Sequence, residues 1–337
     1  MDIIVNEYGT SIRASGERFV LTFPKMKEKK EYPAIRVEKI RILRPASLTT
    51  AAVELALKHE VDIVYMDFRA IPIGRIFSSA PKGIASLRRA QLEVSTSPES
   101  FSIAKIFIKG KCTNQILHLR YLGYKYKKDF STEILQCEAI LKTVDTIPNH
   151  PKNRDQLMGI EGQIANTYFF ALRKLIRFAG RDRKRGDKFN NIINYGYGFL
   201  YTEMERLCLY VGLDPYFGLC HTERYGKPAL VCDLVEEFRV PVVDSVLFQL
   251  IIEKKMSKRS LFESIGKGKY KLSPEGIAII TEAILNRWEE KVIWKGKQYT
   301  LKQIMEDQVR SLARFFQGKE KTLKAFNATE LFNLKNE

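Results

Sequence analysis

The chain has 337 residues, 45% of them apolar and 11% aromatic, a composition that excludes a disordered protein and a length that points to two domains with real cores. No window approaches the roughly 18 consecutive apolar residues of a membrane span, and the start Met1-Asp2-Ile3 lacks the basic and apolar regions of a signal peptide. Lys and Arg number 56 against 39 Asp and Glu, a net charge of +17, which points to a polyanionic partner because basic side chains gain by releasing counterions from phosphates.

An anionic membrane surface could use the same charge, but no basic amphipathic helix with a strong apolar anchor is visible. The cysteines Cys112, Cys137, Cys208, Cys220 and Cys232 are odd in number and widely spaced, with no CxxC pair. That argues against a disulfide framework and for a reducing, cytoplasmic setting.

In chain order, the first 75 residues read as short strands. Asp2 to Asn6, Arg18 to Phe23, Ala34 to Leu43 and Ile63 to Phe68 are rich in Ile, Val, Phe and Tyr. Turn signals separate them: Tyr8-Gly9-Thr10, Ser15-Gly16 and the Lys-rich stretch from Pro24 to Lys30. One helix interrupts them, with Ser47 as N-cap and Ala51, Ala52, Leu55 and Ala56 at helical spacing. Residues 1–78 are therefore expected to form a β-rich, sandwich-like domain, with 79–85 as a linker. Long helical periodicities follow, so 86–326 reads as an α-helical domain and 327–337 as a flexible tail. The expected fold class is α+β, multidomain. The β-rich part carries +3 and the remainder +14, which puts the polyanion-binding face mainly on the helical part.

Three pieces of the helical part carry chemistry. Asp155 to Gly180 reads as one helix with an apolar stripe through Ile164, Ala165, Tyr168, Leu172 and Leu175, stopped by Gly180. Glu161 falls on that stripe. A carboxylate there must either be neutralised, as by a metal, or turn outward to an Arg. Pro228 to Arg239 contains Asp233, Glu236 and Glu237 at helical neighbour positions. Acids so close repel one another unless a cation draws them together, although Arg239 could pair with Glu236 on an ordinary solvated face. His221 lies in a loop just before this acid cluster, where an isolated histidine is commonly a plain surface residue.

Two carboxylates and one imidazole suit Mg²⁺ or Mn²⁺. Zinc fits less well, because Cys208, Cys220 and Cys232 form no tight Cys/His pair with His221. No phosphate loop, nucleophile elbow or HExxH motif is present. Gly266-Lys267-Gly268-Lys269 reads as a hairpin tip.

Several segments together are familiar: Lys111-Cys112-Thr113-Asn114-Gln115, Glu161-Gly162-Gln163-Ile164-Ala165-Asn166-Thr167-Tyr168, and Asn194-Tyr195-Gly196-Tyr197-Gly198. To these are added Gly212-Leu213-Asp214-Pro215 through His221, Asp233-Leu234-Val235-Glu236-Glu237-Phe238-Arg239, and Asp244. In order and spacing, over nearly the whole chain, they resemble the integrase protein of CRISPR spacer acquisition. The resemblance implies a β-domain that dimerises, an α-helical catalytic domain, a homodimer, and a small ferredoxin-like partner of the same system. It implies Glu161, His221 and Glu236 as ligands of Mg²⁺ or Mn²⁺, with Asp233 as a nearby catalytic acid. Glu236 stands where the family has Asp, with Glu237 beside it as a competitor. Cys220 replaces a larger apolar residue.

The implied reaction is phosphoryl transfer on double-stranded DNA. The 3′-hydroxyl of a captured fragment attacks a phosphodiester at the edge of a CRISPR repeat; with water as the nucleophile the same site would be a nuclease. Arg173 to Lys188 holds eight basic residues against Asp182 and Asp187. From that run Arg181, Arg183, Lys184 and Arg185 are the candidates for DNA contact. Two rival readings remain at this point: a branched-DNA resolvase that does not integrate, and a non-catalytic nucleic-acid scaffold.

Overall fold

In the computed structural model, residues 1–25, 27–67, 72–77, 84–221 and 226–332 are described. The expected linker at 79–85 therefore falls largely outside the described residues, as do 333–337 of the expected tail. The chain divides into two compact units.

The first unit comprises residues 1–80, 185–202 and 258–278. Its N-terminal part carries β1 (Asp2–Val5), β2 (Ser11–Ser15), β3 (Arg18–Phe23), β4 (Glu28–Pro33), β5 (Lys39–Ile42), β6 (Ser47–Leu48), α1 (Thr50–Lys58), β7 (Asp62–Met66) and β8 (Pro72–Ile76). One sheet runs β1-β5-β7-β8, with β1, β5 and β7 parallel and β8 antiparallel to β7. The other runs β4-β3-β2-β6. Both sheets and α1 supply one core, with Ile3, Val5, Ile12, Phe19, Leu21, Ile40, Ile63, Leu55 and Ala56 buried together. Sheet faces that bury Ile, Val and Phe in a shared layer are what the strand composition predicts.

Two local expectations change. The Lys-rich stretch is not all turn: β4 pairs along its whole length with β3. As an edge strand it carries Lys29, Glu31 and Lys30 outward, and charge on an edge blocks pairing with a further strand. The cap of α1 is Thr49, whose side chain accepts from the Ala52 amide, while Ser47 lies in β6.

The second unit comprises residues 81–184, 203–257 and 279–337. The remaining elements, in chain order, are α2 (Ile84–Ser95), α3 (Glu99–Tyr126), α4 (Ser131–Lys142), α5 (Arg154–Ala171), α6 (Lys188–Val211), α7 (Ala229–Leu234), α8 (Ser245–Ile252), β9 (Phe262–Gly266), β10 (Lys269–Leu272), α9 (Pro274–Trp288), β11 (Lys291–Trp294), β12 (Lys297–Thr300) and α10 (Leu301–Phe316). The fold class is as expected, a β-rich start followed by a mainly helical remainder. That remainder also holds two short hairpins, one of them with Lys267 at the tip the Gly-Lys-Gly-Lys stretch predicts.

α3, α4 and α5 pack through a single core. Phe101, Ala104, Ile108, Cys112 and Ile116 recur at helical spacing on α3 and meet Leu157, Ile160 and Ile164 of α5, with Cys137 of α4. The predicted helix from 155 to 180 ends early: α5 stops at Ala171, and residues Leu172–Lys174 form a 3-10 turn. Gly180 sits beyond that turn at φ +125, where the Arg173 guanidinium donates to the Ala179 carbonyl. Beyond α10, Phe326, Ala328 and Phe332 are buried, so the described part of the expected flexible tail is packed. All five cysteines are buried and none of them forms a disulfide. Among the described residues, no helix is long and apolar enough to cross a membrane.

Candidate metal centre

Lys111 flanks the apolar stripe of α3 just before Cys112, and Glu161 flanks that of α5 just after Ile160. Packing the two stripes together brings these flanking charges face to face. Lys111 donates to Glu161 Oε1, and the same Nζ lies 2.6 Å from Glu236 Oε2. The three side chains are only 9%, 14% and 4% exposed. Glu236 reaches this point because α7 tightens after Leu234 into a 3-10 turn at Glu236–Phe238 and then a π-helical turn at Arg239–Asp244, an irregularity typical of functional sites. Its other oxygen, Oε1, accepts from Arg239 at 2.9 Å.

The charges set one another. Burial would push the Glu236 carboxyl up, but Arg239, Lys111 and His221 outweigh it and hold it well below the usual carboxylate range. Burial would likewise strip the Lys111 ammonium of its proton, and Glu236 with Glu161 reverses that, raising it.

His221 stands on the far side of Glu236, its Nε2 3.9 Å from Oε1. Its loop is anchored by Cys220, which is buried in the α3–α5 core with Sγ 3.4 Å from Met158 Sδ. The position where a larger apolar residue was expected is thus filled by sulfur packing on sulfur. Asp233 fixes the loop. One of its oxygens accepts from the Leu219 and Cys220 amides at 2.6 and 3.0 Å, the other from the His221 amide at 2.9 Å and lies 2.6 Å from His221 Nδ1. An oxygen that already takes a backbone N–H is an acceptor, so Nδ1 carries a proton towards Asp233 and Nε2 is the ring nitrogen turned towards Glu236.

The three acids diverge rather than share one side. Asp233 faces the His221 loop and Glu236 faces Lys111. Glu237, fully buried, faces the C-terminal segment, where it accepts from Gln308 at 3.0 and 3.1 Å and from the Phe326 amide at 2.5 Å. Asn114 of α3 binds the same segment, donating to the Glu237 and Phe326 carbonyls and accepting from the Ala328 amide. Arg239 does pair with Glu236, but in the interior instead of on the solvated face the sequence allowed. By sequence Lys111 and Asn114 stand out only as part of a familiar motif; the signal for Lys111 was its place beside Cys112 and three residues after Ile108, at the edge of the stripe Ile108, Cys112 and Ile116.

As they stand, no three or more His, Cys, Asp or Glu side chains among the described residues are drawn into a metal-holding group. The donor set nevertheless fits one. One oxygen of each carboxylate, Glu161 Oε1 and Glu236 Oε2, already faces a single cation, the Lys111 ammonium, which stands between them. Two oxygens and one imidazole nitrogen suit Mg²⁺ or Mn²⁺.

Of the basic candidates, Arg181 lines a cavity of about 510 Å³ with Asn166, Thr167, Phe170 and Arg173. The Lys184 amide donates to Asp182. Arg181, Arg183 and Lys184 belong to the second unit and Arg185 to the first.

A β-rich part followed by a helical part with a buried carboxylate–imidazole cluster defines the class. The family model described as CRISPR associated protein Cas1 matches residues 3–286. The chain belongs to that family. A CRISPR-associated endonuclease Cas1 from Pyrobaculum aerophilum is 34% identical over 253 residues, covering 74% of this chain and 82% of that protein. One from Archaeoglobus fulgidus is 29% identical over 311 residues, covering 85% and 88%. Among solved structures, a casposase bound to integration product superposes with a TM-score of 0.84 at 25% identity, covering 96% of this chain and 92% of that one. A Cas1 protein from Thermotoga maritima superposes at 0.80 and 19% identity, covering 97% and 100%, a likeness of fold.

Proposed function

We propose that the chain is a divalent-metal-dependent DNA endonuclease and integrase that inserts captured fragments into a CRISPR array. The observation that carries this is one cation, the Lys111 ammonium, bridging the buried carboxylates Glu161 and Glu236, with His221 Nε2 3.9 Å from the other Glu236 oxygen, in a chain of the Cas1 family. The likeness to a casposase bound to its integration product favours strand transfer over resolution alone.

Glu161, His221 and Glu236 would hold Mg²⁺ or Mn²⁺, which when bound supplies charge stabilisation at the phosphate and at the attacking and leaving oxygens. Asp233 orients His221 and holds its Nδ1 proton, so the ring offers Nε2 inward. Arg239 keeps Glu236 ionised. Burial of the cluster keeps bulk water from competing, and the chain's task is otherwise to align a 3′-hydroxyl with the phosphodiester it attacks.

The reading includes double-stranded DNA as substrate, with Arg181, Arg183, Lys184 and Arg185 along its path. It includes a homodimer formed through residues 1–78, a small ferredoxin-like acquisition protein as partner, and a cytoplasmic location.

The test incubates protein, partner, Mg²⁺ or Mn²⁺, a labelled short duplex and a supercoiled plasmid bearing a repeat. Label joined covalently to plasmid by wild type, and lost in Glu161→Ala, supports the reading. Nicks without joining, or joining that persists in Glu161→Ala, overturn it.

A further inference from the structure

We propose that Lys111 is a built-in placeholder cation, whose ammonium holds the metal position in the metal-free protein and must leave when the metal arrives. This rests on the metal-site reading above. Lys111 Nζ contacts Glu161 Oε1 and lies 2.6 Å from Glu236 Oε2. A Mg²⁺ or Mn²⁺ ion bound by the same oxygens at about 2.0–2.2 Å would occupy the space the ammonium now fills. Two cations cannot share it.

The residue type suits the task. Two carboxylates facing each other in the interior would repel one another and favour local opening if nothing stood between them. An ammonium prevents that. Lysine is a compact point charge on a flexible four-carbon stem, so it can bridge two oxygens and swing away, whereas the planar fork of Arg239 suits the fixed contact it makes with Glu236 Oε1. Lys111 therefore sets how tightly metal binds, because each metal ion must displace it.

The test measures Mn²⁺ binding to the full chain from the electron paramagnetic resonance of free Mn²⁺, for wild type, Lys111→Met and Glu161→Gln. Wild-type Lys111 is also labelled with an amine-reactive reagent with and without Mn²⁺, the modified peptide being followed by mass spectrometry. Removing the competitor is expected to tighten Mn²⁺ binding at least tenfold in Lys111→Met and to make Mn²⁺ raise that variant's melting temperature more than wild type's. Glu161→Gln is expected to lose the binding. In wild type, Mn²⁺ is expected to speed labelling of Lys111. Equal or weaker binding in Lys111→Met, with Glu161→Gln still defective, overturns the placeholder and leaves the metal site standing. Wild-type binding in Glu161→Gln overturns the metal site and the placeholder with it. Should Lys111→Met not fold, the labelling decides, and a rate unchanged by Mn²⁺ overturns the proposal.

Discussion

Asp233 Oδ1 lies 2.6 Å from His221 Nδ1 and also accepts the amide of the same residue. One carboxylate thus fixes both the loop and the ring it carries, and its two oxygens are fully engaged by four donors. That makes Asp233 a positioning residue for His221.

Asp233→Asn keeps the shape but turns one acceptor into a donor facing backbone N–H groups. The expected result is a loss of Mn²⁺ affinity of roughly 10- to 100-fold, the usual effect of removing such an orienting partner. Calorimetric titration of the folded variant checks it. Wild-type affinity would show that His221 needs no such support.

Glu237 predicts a pH dependence of stability. Burial, its largest influence, pushes the carboxyl up to about 8 from 4.5 despite the hydrogen bonds from Phe326 and Gln308. Between those values the folded state holds a proton that the unfolded state has released. The stabilisation is full below about 4.5 and is lost as pH rises through 8, with a slope of up to about 1.4 kcal/mol per pH unit. Urea midpoints from pH 5 to 9 should fall more steeply for wild type than for Glu237→Gln. Parallel slopes would contradict it.

Gly110 admits the C-terminal segment. A Cβ there would lie 2.5 Å from Ala325 Cβ and 3.4 Å from Glu237 Cβ. Alanine for glycine within a helix ordinarily gains about 1 kcal/mol, but here the clash reverses the sign. Gly110→Ala is expected to lower stability by about 1–3 kcal/mol. Removing the opposing methyl in Gly110→Ala with Ala325→Gly should recover most of it. Thermal unfolding of both variants decides, and a double variant no better than the single one would contradict the contact.

Much of this was legible in the sequence because apolar periodicity reports burial directly. The strands from Asp2, Arg18 and Ile63 and the α5 stripe follow from it, and the hairpin tip follows from the short, basic Gly-Lys-Gly-Lys stretch. The edge strand Glu28–Pro33 was hidden because an exposed edge carries charge and not alternating apolar residues. The end of α5 was hidden because Leu172 and Leu175 continue the stripe through a change of helix type. For the site, Glu161 was visible as a carboxylate on an apolar stripe and Asp233 with Glu236 as an acid cluster, while His221, an ordinary loop histidine by itself, was singled out by the resemblance. Their separate partners were not visible, since Lys111 lies 50 residues before Glu161 and Phe326 lies 89 beyond Glu237, and only tertiary packing joins them.

The most direct test of the central claim is a crystal of the protein soaked in Mn²⁺ and measured at the manganese absorption edge. The account predicts one anomalous peak about 2.0–2.3 Å from Glu161, Glu236 and His221 Nε2, with the Lys111 amine withdrawn. A peak elsewhere, or strand transfer in protein that binds no metal at these three side chains, would contradict it.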